Sequence, residues 1–300
     1  MVTPRPEPAA GDARVREPVA AVAVTGATGR LGSRVAQRLA TMDVRQRLLV
    51  RDLARAPRLP GADPVRASYT ERDAVRDALR GVPVVLMVSA AGSQTRVAQH
   101  RTFAEAAAAA GVQQLVYVSF FGAAPDCTFT HGREHWATEQ HIRSAGMGFT
   151  FVRDNFYADL LPSFAGTDGV IRGPAGSGCV SAVAEDDVAD AVTAILLDPS
   201  GHAGATYSLT GPESLSLEAV AAILSRELHR PVSYVDESVE QAYASRAGLG
   251  APEWQLQAWV STYTAIAHGE LSAVTDHVPQ LTGHPATTLA ELLRSGRSAY

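Results

Sequence analysis

Residues 22–32 read Val22-Ala-Val-Thr-Gly26-Ala-Thr-Gly29-Arg-Leu-Gly32, and this stretch decides the fold. Its three glycines lie between an apolar run typical of a buried strand and an amphipathic segment that begins at Leu31. A tight turn, the approach of a pyrophosphate to bare backbone, and close packing of a helix on a sheet each favour a glycine. The helix N-terminus adds free N–H groups and the positive end of its dipole. The stretch predicts a dinucleotide-binding turn, with a ligand-free structural turn as the alternative.

Apolar runs alternate with helix-length segments along the first half of the chain. This pattern predicts an α/β fold with a doubly wound parallel sheet, the Rossmann arrangement, because strands covered by helices on both faces are almost wholly apolar. We assign residues 19–153 to this nucleotide-binding domain and residues 1–18 to a disordered tail. Residues 154–300 form mostly a smaller C-terminal α/β substrate region, with some return to the sheet. Within it we expect a loop over 166–178 and helix over 240–268.

Composition narrows the class of protein. The chain has 300 residues and a formal net charge of -5, whereas nucleic-acid-binding domains are usually basic. No run reaches the roughly 18 apolar residues of a membrane span, and the N-terminus lacks a signal-peptide core. Two cysteines suit a reducing compartment. We expect a cytoplasmic protein without nucleic-acid or membrane partners, and we keep a homodimer open.

The end of the second predicted strand indicates which cofactor binds. Val50 is followed by Arg51 and Asp52. An acid here binds the ribose 2'-hydroxyl of NAD, whereas arginine accommodates the 2'-phosphate of NADP. Arg51, joined by Arg30 from the glycine turn, favours NADPH, and Asp52 favours NAD. The residues expected to contact the cofactor are Gly26, Thr28, Gly29, Arg30, Leu31, Gly32, Arg51, Ser89 and Ala90.

Several segments together resemble one family. The turn Thr25-Gly-Ala-Thr-Gly-Arg-Leu-Gly32 resembles the signature of atypical short-chain dehydrogenases/reductases of the NmrA-like group. Residues 116–119 resemble the fifth strand of that group, and residues 151–157 and 283–291 resemble bacterial NmrA-like NADPH quinone oxidoreductases. The resemblance covers residues 21–291. It implies an NADP-binding Rossmann domain, a small C-terminal domain, and a cleft between them for a quinone or ketone.

The catalytic residues of typical short-chain dehydrogenases are only partly matched. That family pairs a tyrosine with a lysine four residues on and adds a serine, but all 26 basic residues here are arginine. Ser119 matches the serine, while His131 and His135 stand at the tyrosine and lysine positions. Histidine can donate a proton near neutral pH. We expect Ser119 to orient a carbonyl and His131 or His135 to donate the proton, unless these histidines only bind cofactor ribose or the helix end.

Residues after the fifth and sixth predicted strands are candidates for the substrate pocket, because ligands bind at the carboxyl ends of such strands. These residues are Phe120, Asn155, Phe156 and Tyr157. His131-Gly-Arg-Glu134-His135 also matches the H-x-x-E-H pattern of a metallopeptidase class. Gly132 weakens a helix there, and spacing indicates no third ligand. We therefore expect no metal.

The leading hypothesis is an NADPH-dependent reductase without the usual Tyr–Lys pair. Its substrate would be a ketone or quinone, in particular a bulky aromatic or polyketide-like secondary metabolite. The alternative is a non-catalytic NADP-sensing regulator that binds a partner protein. A reductase needs an open pocket beside the cofactor, whereas a sensor can fill it.

Overall fold

The computed structural model describes residues 21–296, so the predicted tail over 1–18 lies outside the described residues. The strands are β1 (Val22–Thr25), β2 (Gln46–Val50), β3 (Ala62–Arg66), β4 (Val84–Met87), β5 (Gln114–Phe120), β6 (Gly148–Asp154), β7 (Val170–Gly173), β8 (Cys179–Val180), β9 (Thr206–Leu209), β10 (Leu215–Ser216) and β11 (Ser233–Asp236). The helices are α1 (Arg30–Thr41), α2 (Arg72–Leu79), α3 (Arg96–Ala109), α4 (Thr130–Ser144), α5 (Leu161–Phe164), α6 (Glu185–Leu197), α7 (Leu217–Glu227), α8 (Val239–Arg246), α9 (Glu253–Ala267), α10 (His277–Thr282) and α11 (Leu289–Arg294).

Seven parallel strands form the central sheet in the order β3-β2-β1-β4-β5-β6-β9. Side chains alternate between its faces, so Val24 packs with α1 and α6, while Ala23 packs with α2 and α3. Helices therefore cover both faces, which confirms the doubly wound α/β fold. The strand β9 comes from the C-terminal half and pairs with β6.

The order of the strands locates a crevice at one edge of the sheet. The strand β1 lies between β2 and β4. The strands β2 and β3 extend the sheet on one side of β1, and β4, β5, β6 and β9 extend it on the other side. Loops that follow β1 and β4 separate at this switch point, and ligands of open α/β sheets bind there. Gly26, Arg51 and Val88, which follow β1, β2 and β4, reach this edge together.

The C-terminal half differs from expectation in two segments. Residues 166–178, expected to be a loop, contain β7, which pairs with β11. The expected helix over 240–268 is two helices, α8 and α9. Gly250, with φ +67°, and Pro252 separate them, because proline cannot donate a helical hydrogen bond. Within residues 21–296, no helix is long and apolar enough to cross a membrane.

Ion pairs join α1 to α6 beside the glycine turn. Arg34 lies 2.9 Å from Glu185, and Arg38 lies 2.6 Å from Asp190 and 3.0 Å from Asp186. Arginines four residues apart share one helix face, which is why they meet successive acids of the partner helix. The first turn of α6 is acidic and comes from residues beyond 153. The C-terminal half therefore stabilises α1, the helix that follows the glycine turn.

Gly32→Ala is expected to lower the free energy of unfolding by about 1–3 kcal/mol, because overpacking at a rigid contact has that cost. A Cβ at Gly32 would lie 2.3 Å from the carbonyl oxygen of Gly26, which is too close for any contact. Urea unfolding of the cofactor-free protein measures the loss. Gly29→Ala is the control, since its Cβ would lie 3.3 Å from the same oxygen. Equal losses for both variants would contradict this account of the turn.

Candidate active site

A groove of about 450 Å³ follows the carboxyl edge of β1, β2, β3 and β4. We call it the cofactor groove. All nine residues predicted to contact the cofactor line it: Gly26, Thr28, Gly29, Arg30, Leu31, Gly32, Arg51, Ser89 and Ala90. Their convergence follows from the switch point, where loops after the inner strands open toward the same space.

The glycine turn presents bare backbone to this groove. The Gly29 N–H donates to the Gly26 carbonyl at 2.8 Å, and Gly26 has φ +67°, a conformation that favours glycine. The Nη2 atom of Arg30 is buried without a hydrogen-bond partner. It lies 3.8 Å from the buried Asp159 carboxylate, and Arg30 Nε pairs with Glu185, so this guanidinium lies between two carboxylates.

The structure corrects the expectation that Arg30 and Arg51 act together on one phosphate. Arg30 Nε lies 2.8 Å from Glu185, which holds this guanidinium beside α6. Arg51 is exposed at the end of β2, and no carboxylate pairs with it within residues 21–296. Asp52 instead accepts the Ala54 N–H at 2.9 Å and caps a short turn. The end of β2 therefore offers the groove a guanidinium and not a carboxylate.

Tyr69 is a groove residue that the sequence analysis missed. Its hydroxyl donates to the Val88 carbonyl at 2.6 Å and lies 2.6 Å from Thr25 Oγ1. Thr25 Oγ1 also accepts the Val88 N–H at 2.9 Å. These bonds fix the ends of β1 and β4 and the loop after β3. The only signal in the sequence was an aromatic residue shortly after the third predicted strand.

Two side chains of α3 bind the backbone of the loop after β4. The Ala90 N–H donates to His100 Nε2 at 2.9 Å, and the Ala90 carbonyl accepts from Arg96 Nε at 2.8 Å. Because His100 Nε2 accepts, its proton is on Nδ1, which lies 2.9 Å from Thr138 Oγ1. Burial and the nearby Arg96 charge lower the pKa of His100 to about 3. The imidazole thus stays neutral, and the loop is fixed at physiological pH.

Ser119 does not line the cofactor groove, which corrects its predicted role in orienting a substrate carbonyl. Its hydroxyl is fully buried and donates to Glu139 Oε1 at 2.6 Å. Arg153 pairs with the same carboxylate through two bonds of 2.8 and 2.6 Å. Ser119 shares the sheet face of Tyr117, which α4 covers. It cannot orient a substrate carbonyl in this conformation.

The two histidines of α4 have different surroundings. His135 is buried, with Nε2 accepting from Arg96 at 2.8 Å and Nδ1 donating to the Tyr117 hydroxyl at 2.9 Å. Burial and Arg96 keep its pKa well below the ordinary value, so it remains neutral. This corrects its predicted role as a proton donor. Since both His135 nitrogens are occupied, it cannot share a metal with His131.

His131 is partly exposed and faces open space. Its Nδ1 lies 2.8 Å from Glu134 Oε2. A Cβ at Gly92 would lie 3.0 Å from His131 Nε2, so this nitrogen borders the cofactor groove, which Gly92 also lines. Burial alone would raise the pKa of Glu134, but bonds and charges of His131 and Arg96 outweigh it and lower that pKa. Glu134 therefore stays ionised beside the imidazole.

The residues predicted to contact the substrate do not line the cofactor groove. Phe120 and Phe156 form an aromatic cluster with Phe129, with ring centroids 4.7 to 5.5 Å apart. The buried Asn155 amide donates to Ser181 Oγ at 2.9 Å and to the Leu271 carbonyl at 3.0 Å. We correct the assignment of Asn155, since these bonds occupy its side chain.

Tyr157 does not line the cofactor groove either. Its hydroxyl donates to Asp154 Oδ2 at 2.5 Å. Asp154 lies at the buried end of β6, where burial raises the pKa of its carboxyl to about 8, although the bond from Tyr157 opposes this rise. The pair fixes the end of β6, so we correct the prediction that Tyr157 lines the substrate pocket.

A second groove, of about 340 Å³, lies between the N-terminal turns of α3, α4 and α9, and we call it the side groove. Its lining residues are Ser93, Gln94, Val97, Thr130, His131, Arg133, Glu134, Ala137, Trp254 and Gln257. Ser93 lines both grooves, and a Cβ at Gly92 would approach both His131 Nε2, at 3.0 Å, and Trp254, at 3.5 Å. The two grooves therefore meet at Gly92 and Ser93, next to His131.

Comparison with known proteins assigns the class. Residues 19–259 match the NmrA-like family, so the chain belongs to that family. It is 34% identical to NAD(P)H azoreductase from Xenophilus azovorans, covering 93% of this chain and 99% of the relative. It is 36% identical to (4-alkanoyl-5-oxo-2,5-dihydrofuran-3-yl)methyl phosphate reductase from Streptomyces griseus, covering 88% and 94%.

A solved structure agrees with this class. The NADPH-dependent quinone oxidoreductase of Escherichia coli, solved with NADPH, superposes with a TM-score of 0.85 at 29% identity, covering 92% of this chain and 99% of that one. The chain is thus an oxidoreductase of the NmrA-like family, with a Rossmann domain and the two connected grooves described above.

Asp154→Asn is expected to stabilise the protein, with a gain that grows as pH rises. The folded pKa of about 8 lies above the ordinary value near 3.9, so the folded state binds more protons between these values. Wild-type stability therefore falls as pH rises from about 4 to about 8. Asparagine keeps an acceptor for Tyr157 and does not titrate. Urea midpoints at both ends of this range measure the difference, and a gain independent of pH would contradict the assignment.

Proposed function

We propose that this oxidoreductase uses NADPH to reduce a quinone or aromatic ketone that binds in the side groove. The observation that carries the proposal is the junction of the two grooves at Gly92, where the partly exposed His131 Nε2 borders the cofactor groove. A bulky aromatic or polyketide-like acceptor suits a groove walled by Trp254. The relatives act on azo, quinone and furanone phosphate compounds, as their names state.

The residues of the cofactor groove fit NADPH. Arg51 would receive the 2'-phosphate, while the bare turn at Gly26 and the N-terminus of α1 would receive the pyrophosphate. The bound cofactor supplies a hydride. Arg96 and His100 hold Ala90 from opposite sides, which keeps the floor of the groove fixed. This pre-organisation limits the ordering that binding requires.

His131 is the proton donor in this proposal. Glu134 binds its Nδ1, which orients the ring and leaves Nε2 toward the junction. A protonated imidazole in this position donates from Nε2 to the substrate oxygen that becomes a hydroxyl. Glu134 acts as a positioning residue, held in turn by Arg96 at 3.0 Å. This pair replaces the Tyr–Lys pair, which a chain without lysine cannot contain.

The open side groove supports a reductase over a cofactor-sensing regulator. A sensor could fill the space beside the cofactor with its own side chains, whereas this groove retains about 340 Å³. Homodimer formation and a cytoplasmic location stay predictions from the sequence.

The direct test follows absorbance of the reduced nicotinamide while the protein meets a panel of quinones and polycyclic ketones. Oxidation of NADPH in preference to NADH is expected. Tight NADPH binding without oxidation by any quinone or ketone of the panel would instead favour the regulator.

Arg51→Gln is expected to weaken NADPH binding about tenfold or more, because it removes a charge-assisted bond to a phosphate. NADH has no 2'-phosphate, so the ratio of the two dissociation constants should fall. Titration of nicotinamide fluorescence measures both. Arg55→Gln is the matched control, since Arg55 is exposed nearby and does not line the groove. An unchanged ratio in Arg51→Gln would remove Arg51 from cofactor selection.

His131→Gln is expected to lower kcat by about 10²-fold, the lower end of the range for general acid catalysis. The dissociation constant of NADPH should stay near the wild-type value, because His131 only approaches the cofactor groove at Gly92 and is not one of the residues that line it. His141→Gln provides a control on the same helix, where His141 lies 3.4 Å from Glu105. A variant with wild-type kcat and an unaltered pH profile would exclude His131 as the donor.

A further inference from the structure

We infer that the side groove contains an anion subsite, formed by Arg133 and Thr130, which selects aromatic acceptors carrying a sulfonate, carboxylate or phosphate substituent. The inference rests on the proposed function, because it assigns the substrate specificity of the same groove. Arg133 and Thr130 lie three residues apart in the first turn of α4, so they share one side of the helix.

Arg133 brings a positive charge that its own hydrogen bonds leave in place. Its Nη1 donates to the Cys127 carbonyl at 2.6 Å and to the Thr128 carbonyl at 3.1 Å. Neutral carbonyls fix the guanidinium but leave its charge in place. In the part of the chain that the structure describes, no carboxylate lies within salt-bridge distance of Arg133. A planar guanidinium held by one edge can still offer its remaining N–H groups to an oxyanion.

The only acid that lines the side groove is already paired. Glu134 lies 3.0 Å from Arg96 Nη1 and 2.8 Å from His131 Nδ1. Arg96 is buried, so its charge is committed to Glu134. The wall as a whole therefore carries an uncompensated positive charge at Arg133, which favours an anionic ligand.

Thr130 brings a hydroxyl that lacks a partner. Its Oγ1 is buried and makes no hydrogen bond, while its backbone N–H donates to Ser261 Oγ at 3.2 Å. Polar atoms buried in this way are normally satisfied. Because Thr130 lines the side groove, a rotation about its Cα–Cβ bond would bring this hydroxyl to a ligand there.

The groove also provides a place for the aromatic body of the acceptor. Trp254 and His131 flank Gly92, where the side groove meets the cofactor groove. An acceptor that lies along Trp254 with its carbonyl at His131 directs a substituent along α4 toward Arg133. The selection of the acceptor then depends on its anionic substituent, and its aromatic ring system accepts the hydride.

The first experiment compares turnover of a neutral and an anionic quinone. The probes are 2-methyl-1,4-naphthoquinone and 1,4-naphthoquinone-2-sulfonate, with NADPH as reductant. Arg133→Gln is expected to lower the ratio of kcat/KM for the sulfonate to that for the neutral quinone about tenfold, mainly through KM. Arg133→Lys, which keeps the charge, should retain most of the ratio, and the exposed Arg101→Gln should not change it. An unchanged ratio in Arg133→Gln overturns the subsite.

The second experiment measures binding without turnover. Calorimetric titration of the protein loaded with NADP⁺ uses naphthalene-2-sulfonate and the neutral 2-naphthol. Arg133→Gln should weaken the sulfonate selectively, and Thr130→Val should weaken it a few-fold without lowering Tm, since the hydroxyl has no partner to lose. Equal weakening of both ligands overturns the subsite. If neither quinone is reduced, the proposed function fails, whereas the calorimetric arm still decides the subsite.

Discussion

The buried guanidinium of Arg96 connects the loop after β4 in the cofactor groove to Glu134 in the side groove. Through Nε it holds the Ala90 carbonyl in the cofactor groove, through Nη1 it binds Glu134, and through Nη2 it binds His135. A buried charge is tolerated only when it is paired and its N–H groups are satisfied. Arg96 meets this condition only while Glu134 is ionised and His135 is neutral, and the lowered pKa of each group agrees. The loop under the cofactor and the orientation of His131 thus depend on the same interaction.

This network also explains how a chain without lysine can retain a polar active site. Lysine would combine a cofactor contact and a positive charge in one flexible side chain. Here Arg96 supplies a buried positive charge, and in the proposed function the group that meets the acceptor is the His131 imidazole, which Glu134 orients. The charge comes from α3 and the imidazole from α4, which requires the two helices to be held rigidly relative to each other. The contacts of His100 with Ala90 and Thr138 add to that rigidity.

The C-terminal half contributes to both grooves. The acidic first turn of α6 holds Arg34 and Arg38 of α1, which keeps the glycine turn in place. The helix α9 brings Trp254 to the side groove. The residues of α9 and of the first turn of α4 line the side groove and not the cofactor groove, so under the proposed function they can change the acceptor without altering the cofactor groove.

The sequence by itself determined the doubly wound sheet and nine of the residues that line the cofactor groove, because the glycine turn, the apolar strands and the strand ends are local patterns. Only the tertiary structure decided the direction of individual side chains at those strand ends. Ser119 turns under α4, and Asn155 binds the carbonyl of Leu271, which is 116 residues away in the chain. His131 and His135 look equivalent in sequence, yet Arg96 buries one and leaves the other at the junction. No local pattern records such contacts, since they depend on which distant element packs against each side chain.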